Sequence, residues 1–183
     1  MPILEVTQMS FVPVGLRLQG AGAFSSDVPS FPNDRHICEV EIDPEAGETA
    51  LDRYTVVDDI GTVINPLLAK GQIQGGVAQG AGQALIEDVV YDRDSGQLLT
   101  GTLLDYGIPR ADMLAPISID FSPVPSTTNP LGAKGVGEGG TVASTPTVMN
   151  AILDALAPLG VLDLPMPATP ERIWRAIRER ARS

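Results

Sequence analysis

The sequence predicts an α+β fold in which β-hairpins pack with about three helices. The first observation is the alternation of apolar and polar residues in HICEVEID, which begins at His36. The segment PEAGE then supplies turn residues and TALDRYTVVDD returns as a second strand, which is a β-hairpin pattern. The second observation is a pair of helix starts, Asn65-Pro66 and Thr169-Pro170, each a cap residue followed by proline. Mixed hairpins and helices in one chain are typical of the α+β class.

Other segments continue the strand pattern around this first hairpin. DVVYD and QLLTGTLLD flank the turn sequence RDSG and predict a second hairpin, and ISIDFSPV predicts a further strand. Residues 1–33 are rich in Gly, Pro and Ser and predict an irregular lead-in, which leaves residues 34–183 as the α+β body. We therefore expect residues 1–183 to form a single domain.

Three segments predict helices. The first runs from Asn65-Pro66 to about Asp88, and the second begins between Thr141 and Pro146 and continues through VMNAILDAL. The third follows Thr169-Pro170 and contains ERIWRAIRER, whose apolar residues share one face.

Composition excludes several functional classes. The chain of 183 residues carries a net charge of −11 and 4% aromatic residues, a combination that disfavours binding to nucleic acid or to anionic membranes. Its single cysteine, Cys38, excludes an internal disulfide and a cysteine-ligated cluster, and it fits a cytoplasmic location. No apolar stretch reaches the roughly 18 residues of a membrane span, and the segment MPILEVTQMSFVPVG lacks the pattern of a signal peptide.

The first predicted helix is unusually rich in glycine. GQIQGGVAQGAGQALIED places five glycines in a helical pattern, and each costs roughly 1 kcal/mol relative to alanine. One explanation is tight packing against another helix, with Gln72, Gln79 and Gln83 exposed on one face. The other is a polar heterocycle that approaches the bare backbone and bonds to these amides. Neither this segment nor Gly135-x-Gly137-x-Gly139 matches a dinucleotide or phosphate-binding loop, so NAD and ATP are not supported.

A second unusual segment is NPLGAKGVGEGGTVAST, which places Glu138 between Gly137 and Gly139. Flanking glycines leave a carboxylate accessible, and an accessible carboxylate can act as a general base. The alternative is an exposed loop glutamate without a function.

The remaining polar candidates form no recognisable constellation. Asp58 and Asp59 could begin a metal site, but no further ligand stands at metal spacing, and turn residues at a strand end are the simpler interpretation. His36 is the only histidine and completes no catalytic triad. Cys38 alternates with inward-facing residues and is expected in the core.

Taken in chain order, these segments resemble one family. The resemblance is carried by FPNDRHICEVEIDPEAGE, LDRYTVVDDIGTVINP, GQIQGGVAQGAGQALIEDVVYD, QLLTGTLLDYGIPRADMLAPI and PSTTNPLGAKGVGEGGTVASTPTVMNAILDAL. Together they resemble the last part of the large subunits of molybdenum hydroxylases, the family of xanthine dehydrogenase, aldehyde oxidase and aerobic carbon monoxide dehydrogenase. The resemblance covers about residues 20–178, and it implies that residues 1–183 are the C-terminal part of a molybdopterin-binding region, a partial domain.

The resemblance implies roles for five residues. Glu138 is the base at the molybdenum centre, and Gln72 contacts the pterin. Asp59, Gly61 and Asn65 belong to the turn that approaches the dinucleotide end of the cofactor. No residue of this chain is implied as a metal ligand. The implied cofactor is molybdopterin, which bacterial relatives commonly carry in its cytosine dinucleotide form.

The family's large subunit is several times longer than this chain. Its upstream half supplies the other cofactor loops and most of the substrate pocket, so we expect the chain alone to bind no cofactor tightly and to be inactive. In the assembled enzyme, iron–sulfur clusters and FAD would lie on partner chains. The substrate stays open among aldehydes, purines and other N-heterocycles, and carbon monoxide, with water as the source of oxygen.

Two alternatives to a molybdenum-dependent oxidoreductase stay open on the sequence alone. One is a non-catalytic, detached domain that acts only as an interaction module and forms homo-oligomers through the surface that its missing half would cover. The other is an unrelated α+β binding protein.

Overall fold

The first predicted hairpin is confirmed in the computed structural model, which describes residues 22–181. Strand β1 (Asn33–Ile42) pairs antiparallel with β2 (Thr49–Asp59), so that Asn33 lies opposite Asp59 and Ile42 opposite Thr49. Gly47 in the connecting turn has a φ of +74°, a conformation that favours glycine. The turn residues of PEAGE therefore fix the register of the hairpin.

The segment before β1 is only partly described. Residues 22–32, which belong to the predicted irregular lead-in, form neither helix nor strand. Residues 1–21 of that lead-in lie outside the described residues. The single-domain boundary of 1–183 stays a prediction.

A third strand, β3 (Ile117–Phe121), confirms the strand predicted in ISIDFSPV. It pairs in parallel with β2, from Tyr54 opposite Ile117 to Asp58 opposite Phe121, and the sheet has the order β1-β2-β3. A parallel neighbour needs a long crossover connection, and the chain between β2 and β3 contains the first helix. Both strands therefore end at the same edge of the sheet.

The described residues contain α-helices in the three predicted segments: α1 (Pro66–Leu85), α2 (Gly139–Leu156) and α3 (Pro170–Arg180). The predicted caps are confirmed, because the side chains of Asn65 and Thr169 both accept hydrogen bonds from backbone N–H groups of the first turn. Within residues 22–181, none of the helices combines the length and apolar character that a membrane crossing requires.

The start of α2 differs from the prediction. The helix begins at Gly139, before the expected range of Thr141 to Pro146, and Pro146 lies inside it. Its first backbone groups fit closely against α1, where a Cβ on Gly140 would lie 2.6 Å from the carbonyl oxygen of Ile73. Packing against α1 thus extends α2 toward Glu138, and local sequence patterns carry no information on such packing.

Four of the five glycines of α1 divide into two groups. A Cβ on Gly76 would lie 2.8 Å from the Cα of Gly140, and a Cβ on Gly80 would overlap the hydroxyl oxygen of Ser144. These positions let the backbones of α1 and α2 touch. In contrast, a Cβ on Gly71 or Gly75 would have nothing within 4 Å. Tight helix packing therefore explains only the first group.

The hydrophobic core lies between the sheet and the helices, and α2 packs against both β1 and α1. The β2 side chains alternate, so Tyr54 and Val56 face inward while their neighbours are more exposed. The following core side chains are at most 1% exposed: Tyr54, Val56, Ile73, Val77, Val148, Ile152, Leu156 and Ile173.

The second predicted hairpin is reduced to a single isolated bridge between Tyr91 and Leu98. Residues 88–109 leave the end of α1 and return to it, and we call this segment the apolar arm. The strand prediction for QLLTGTLLD is wrong beyond the bridge, since the chain turns at residues 102–106. An isolated pair of strands is marginal without a layer that covers its apolar side, and Leu103 and Leu104 are 77% and 96% exposed.

Two alanine substitutions distinguish the two groups of glycines. Gly76→Ala should lower the free energy of unfolding by about 1–3 kcal/mol, because the new methyl group meets backbone that cannot move aside. Gly71→Ala should leave it unchanged or raise it by about 0.5–1 kcal/mol, because the position is open and alanine favours the helix. Urea unfolding of the 183-residue chain measures both, and equal effects would contradict the packing described here.

Candidate functional site

A cleft opens between the start of α1 and the loop that leads into α2. We call residues 129–138 the glutamate loop. The cleft has a volume of about 470 Å³ and is lined by Asn65 and Gln72 on one side and by Lys134 and Gly137 on the other. It joins the two segments that the sequence singled out, the glycine-rich helix and the glycine-flanked glutamate.

Gln72 connects the two sides of the cleft. Its Nε2 donates a 2.9 Å hydrogen bond to the carbonyl oxygen of Gly137, across 65 residues of sequence. Its Oε1 has no partner among the described residues, so one end of the amide holds the loop and the other end is free to accept a hydrogen bond. The structure thus brings Gln72 beside the residue that precedes Glu138.

Glu138 lies at the junction of the glutamate loop and α2. Its carbonyl oxygen accepts hydrogen bonds of 3.0 Å from Thr141 N and 2.9 Å from Val142 N, which starts the helix. Its side chain is exposed and makes no hydrogen bond or ion pair with residues 22–181. The backbone of Glu138 is therefore fixed, while its carboxylate is available to a reactant.

Asp59 supports the glutamate loop from the edge of the sheet. Its Oδ2 lies 2.5 Å from Lys134 Nζ, and its Oδ1 accepts hydrogen bonds from Gly61 N at 2.9 Å and Val124 N at 2.8 Å. Burial acts to raise the pKa of Asp59, but these donors outweigh it and hold the pKa at about 2. The carboxylate therefore stays ionised and ties three segments together.

Gly61 and Asn65 have clear local roles in the turn after β2. Gly61 has a φ of +65° and bridges to Ala133, and a Cβ there would lie 2.2 Å from the carbonyl oxygen of Gly132. Asn65 caps α1 through Oδ1 and also lines the cleft. Asn65 and Gln72 thus share the cleft, whereas Asp59 and Gly61 hold the loop that forms its far wall.

A buried polar cluster on the inner face of the sheet brings together Asp58 and His36, which the sequence offers only as separate candidates. Asp58 is 1% exposed, and neither of its carboxylate oxygens has a hydrogen-bond partner among the described residues. His36 Nε2 lies 3.7 Å from Asp58 Oδ1, and His36 Nδ1 lies 2.8 Å from the hydroxyl of Tyr54. Asp34, directly opposite Asp58 in the β1–β2 register, also faces this cluster.

Burial dominates the titration of this cluster. It raises the pKa of Asp58 to about 7, with a further contribution from the negative charge of Asp34. Burial also raises the pKa of Asp34 and lowers the pKa of His36. The sequence does contain a signal for this cluster. The period-2 alternation of β1 and β2 places Asp34, His36 and Asp58 on the same inner face of the sheet.

The paired aspartates do not form a metal site. Asp58 and Asp59 point to opposite faces of β2, one toward His36 and the other toward Lys134. Among residues 22–181, no group of three or more His, Cys, Asp or Glu side chains is arranged to hold a metal ion. Cys38 is partly buried and packs against the core, as the sequence predicts.

The family model of the molybdopterin cofactor-binding domain matches residues 4–115, which is more than half of the 183 residues. The chain belongs to this family. The hypothesis of an unrelated α+β binding protein is therefore wrong.

The relatives of this chain are much longer than it is. It is 39% identical over 88% of its length to the nicotine 6-hydroxylase large subunit of Paenarthrobacter nicotinovorans, of which it covers 20%. It is also 39% identical over 91% of its length to the carbon monoxide dehydrogenase large chain of Hydrogenophaga pseudoflava, of which it covers 21%. The chain thus spans about a fifth of these relatives.

A solved structure has the same fold over most of this domain. The chain superposes on a Cu,Mo-CO dehydrogenase with a TM-score of 0.79 and 32% identity, covering 82% of this chain and 19% of the other. This similarity confirms the α+β architecture predicted for a molybdopterin-binding region.

The described residues fit one wall of a site for a polar heterocycle such as a pterin. The Gln72 Oε1 and the Glu138 carboxylate are unpaired within residues 22–181. A Cβ on Gly135 or Gly137 would have nothing within 4 Å, so the backbone beside Glu138 is open to close approach. The assignments of Glu138, Gln72, Asp59, Gly61 and Asn65 to catalysis and cofactor binding stay predictions.

The buried cluster predicts a specific dependence of stability on pH. Because folding raises the pKa of Asp58 from 3.8 to about 7, its contribution to stability is present below pH 3.8 and is lost as the pH rises through about 7. Asp58→Asn keeps the shape of the side chain but has no proton to release, so the variant does not lose this stability as the pH rises. The free energy of unfolding of the variant relative to the wild type should therefore increase from pH 4 to pH 7, by on the order of a few kcal/mol.

Urea unfolding at several pH values measures this difference, and Asp52→Asn, at an exposed position of the same strand, is the control. A difference that does not change with pH for Asp58→Asn would contradict a proton held at this site.

The bond between Gln72 and Gly137 predicts a local effect on the glutamate loop. Gln72→Leu removes the donor, and a typical net hydrogen bond contributes about 1 kcal/mol, so amides of residues 134–138 should exchange with solvent about fivefold faster. Hydrogen exchange measured by mass spectrometry tests this. Gln74→Leu, at an exposed position of the same helix, should leave the loop unchanged; the same acceleration in both variants would mean that the bond does not hold the loop.

Proposed function

We propose that this chain is the C-terminal segment of the large subunit of a molybdenum hydroxylase, an enzyme that oxidises an aldehyde, an N-heterocycle or carbon monoxide with water as the oxygen source. In this proposal Glu138 is the catalytic base, and the segment is active only with the rest of its subunit. The observation that carries the proposal is the Glu138 carboxylate beside the Gln72 cleft, unpaired among residues 22–181, in a chain of the molybdopterin-binding family.

The proposed roles follow from the contacts of each residue. Gln72 would hold the pterin through its free Oε1 while its Nε2 fixes the glutamate loop, and Asn65 would line the same cleft. When bound, the cofactor supplies a Lewis-acidic, redox-active metal. Glu138 takes a proton from the oxygen nucleophile onto its carboxylate, which is accessible because Gly137 and Gly139 flank it. Fixing the loop through Gln72 keeps this carboxylate in position between turnovers.

Asp59 and Gly61 would act through the backbone of their turn. The Asp59 carboxylate is occupied by Lys134, Gly61 and Val124, so it has little capacity for a further partner. We retain the proposal that this turn approaches the dinucleotide end of the cofactor. Its contacts would come from backbone groups near Gly61, where the absence of a side chain permits close approach.

The partners and compartment are also proposals. We infer that the upstream half of the subunit completes the cofactor site and that iron–sulfur and flavin subunits accept the electrons, because Cys38 alone cannot hold a cluster. Relatives named as a large chain and as subunit gamma of a dehydrogenase complex support an assembly of several chains. The cytosine dinucleotide form of the cofactor and a cytoplasmic location are the expected finer details.

A second candidate function is a detached domain that only binds other proteins. It is favoured by the exposed side chains of the apolar arm, such as Leu103 and Leu104. The presence or absence of molybdenum in the native assembly distinguishes it from the first candidate.

Substitution of the proposed base tests the catalytic role. Glu138→Gln keeps the shape of the side chain and removes its basicity, so turnover in the assembled enzyme should fall by about 10²–10⁴-fold, the usual contribution of a general base. Turnover is measured with whichever aldehyde, N-heterocycle or carbon monoxide substrate the wild-type enzyme oxidises. Cofactor content should not change, because the Glu138 side chain holds none of the loop contacts.

Glu48→Gln is the matched control, since Glu48 is an exposed residue of the β1–β2 turn at the other end of the sheet. Full activity of Glu138→Gln in an enzyme with normal cofactor content would contradict the proposed base.

A further inference from the structure

The apolar arm (residues 88–109) exposes large apolar side chains that no other described part of the fold covers. It begins and ends at the C-terminal end of α1, and its exposed apolar side chains range from 38% to 96% in exposure. They are Val89, Val90, Tyr91, Leu98, Leu99, Leu103, Leu104 and Ile108. A concentration of large exposed apolar side chains in one segment is typical of an interaction surface.

Polar contacts at its base hold the arm in place. Tyr106 donates a 2.5 Å hydrogen bond to Glu87, and Arg172 of α3 pairs with Asp88 at 2.9 Å. A Cβ on Gly82 would lie 2.8 Å from Pro109, so the returning chain is seated directly on α1. The arm is thus anchored to two helices.

Hydrogen bonds within the arm fix its own shape. Leu99 N donates to Val90 O at 2.8 Å, and Asp92 N donates to Gln97 O at 2.8 Å. Thr100 Oγ1 accepts a 3.0 Å bond from Val90 N. An apolar surface that is already ordered loses little conformational entropy on docking, which favours association.

The charged residues of the arm lie at its two flanks, at residues 88–94 and at Asp105, and its central part has the composition of a permanent interface. Residues 95–104, SGQLLTGTLL, contain no charged side chain, although the chain as a whole has a net charge of −11. Depletion of charge with enrichment of large apolar residues is typical of obligate interfaces and of domain interiors. A second copy of this chain would bring an equal negative charge with it, which disfavours self-association.

We propose that the apolar arm docks on the rest of the same molybdopterin-binding subunit and is buried there. This inference rests on the proposed function, because it takes the chain to be one segment of a subunit of which it spans about a fifth. The arm leaves α1 about 20 Å from Gln72 along the helix axis. It is therefore an assembly surface separate from the cofactor cleft, and Leu103 and Leu104 are its centre.

A thiol introduced into the arm tests the proposal in the assembly isolated from native cells. Leu104→Cys is alkylated with a maleimide in the intact assembly and after denaturation, and peptide mass spectrometry reports each site. The introduced thiol should react at least about tenfold more slowly in the intact assembly, because it is buried there. Burial raises the pKa of the native thiol of Cys38 to about 11, so Cys38 contributes little background in the folded state.

Glu48→Cys is the matched control, at an exposed position of the hairpin turn. It should react equally fast in both states. Failure of Leu104→Cys alone to assemble, with Glu48→Cys assembling normally, would also support docking through the arm.

Fast alkylation of Leu104→Cys in an intact assembly would overturn the proposal. Protection in a species whose native mass is a multiple of 19.2 kDa would overturn it too, because the occupant would be a second copy. The two proposals fail separately. Protection in a larger assembly without molybdenum would contradict the proposed function but not the docking, whereas fast alkylation in a molybdenum-containing assembly would contradict only the docking.

Discussion

The close approach of the α1 and α2 backbones is the constraint on which the candidate site depends. Gly76 and Gly140 let the helices meet without side chains between them, and Thr141 then donates a 3.2 Å hydrogen bond to the carbonyl of Gly76. This contact fixes the start of α2, and with it the backbone of Glu138. Gln72, one turn before Gly76, can consequently reach the glutamate loop. A larger side chain at the crossing would separate the helices and change the position of Glu138 relative to the cleft.

Electrostatics at the end of the sheet support the same geometry from the other side. Lys134 and two backbone amides compensate the charge of Asp59, which keeps the glutamate loop attached to β2. Asp58, the preceding residue in the strand, is buried near His36 and Asp34 with neither oxygen hydrogen-bonded within the described residues. Because such a carboxylate is stable in its neutral form, protonation contributes to the stability of the sheet that supports the site. Two adjacent aspartates thus have opposite electrostatic roles.

Local patterns were sufficient to predict much of this fold. Period-2 alternation identified β1, the turn residues after it identified β2, and proline after a cap residue identified the starts of α1 and α3. The start of α2 was not predictable from local sequence, because it depends on the fit of α2 against α1. The second hairpin was not predictable either, because a stable pair of strands needs a layer that covers it. At the candidate site, the flanking glycines marked Glu138 only as a candidate, and the bond from Gln72 to Gly137 spans 65 residues and has no local signal. The pairing of Asp59 with Lys134 is equally long in range.

Among residues 22–181, the backbone beside Glu138 is open, the amide oxygen of Gln72 is unpaired and the apolar arm is uncovered, which are the features of a part whose complement is elsewhere. The measurement that tests this most directly is molybdenum content per chain, by elemental mass spectrometry of protein isolated gently from its native cells, with native mass in parallel. The proposed function predicts near-stoichiometric molybdenum in a species heavier than 19.2 kDa. A molybdenum-free chain of that mass, or a homo-oligomer of it, would contradict the proposed function and with it the proposed catalytic role of Glu138.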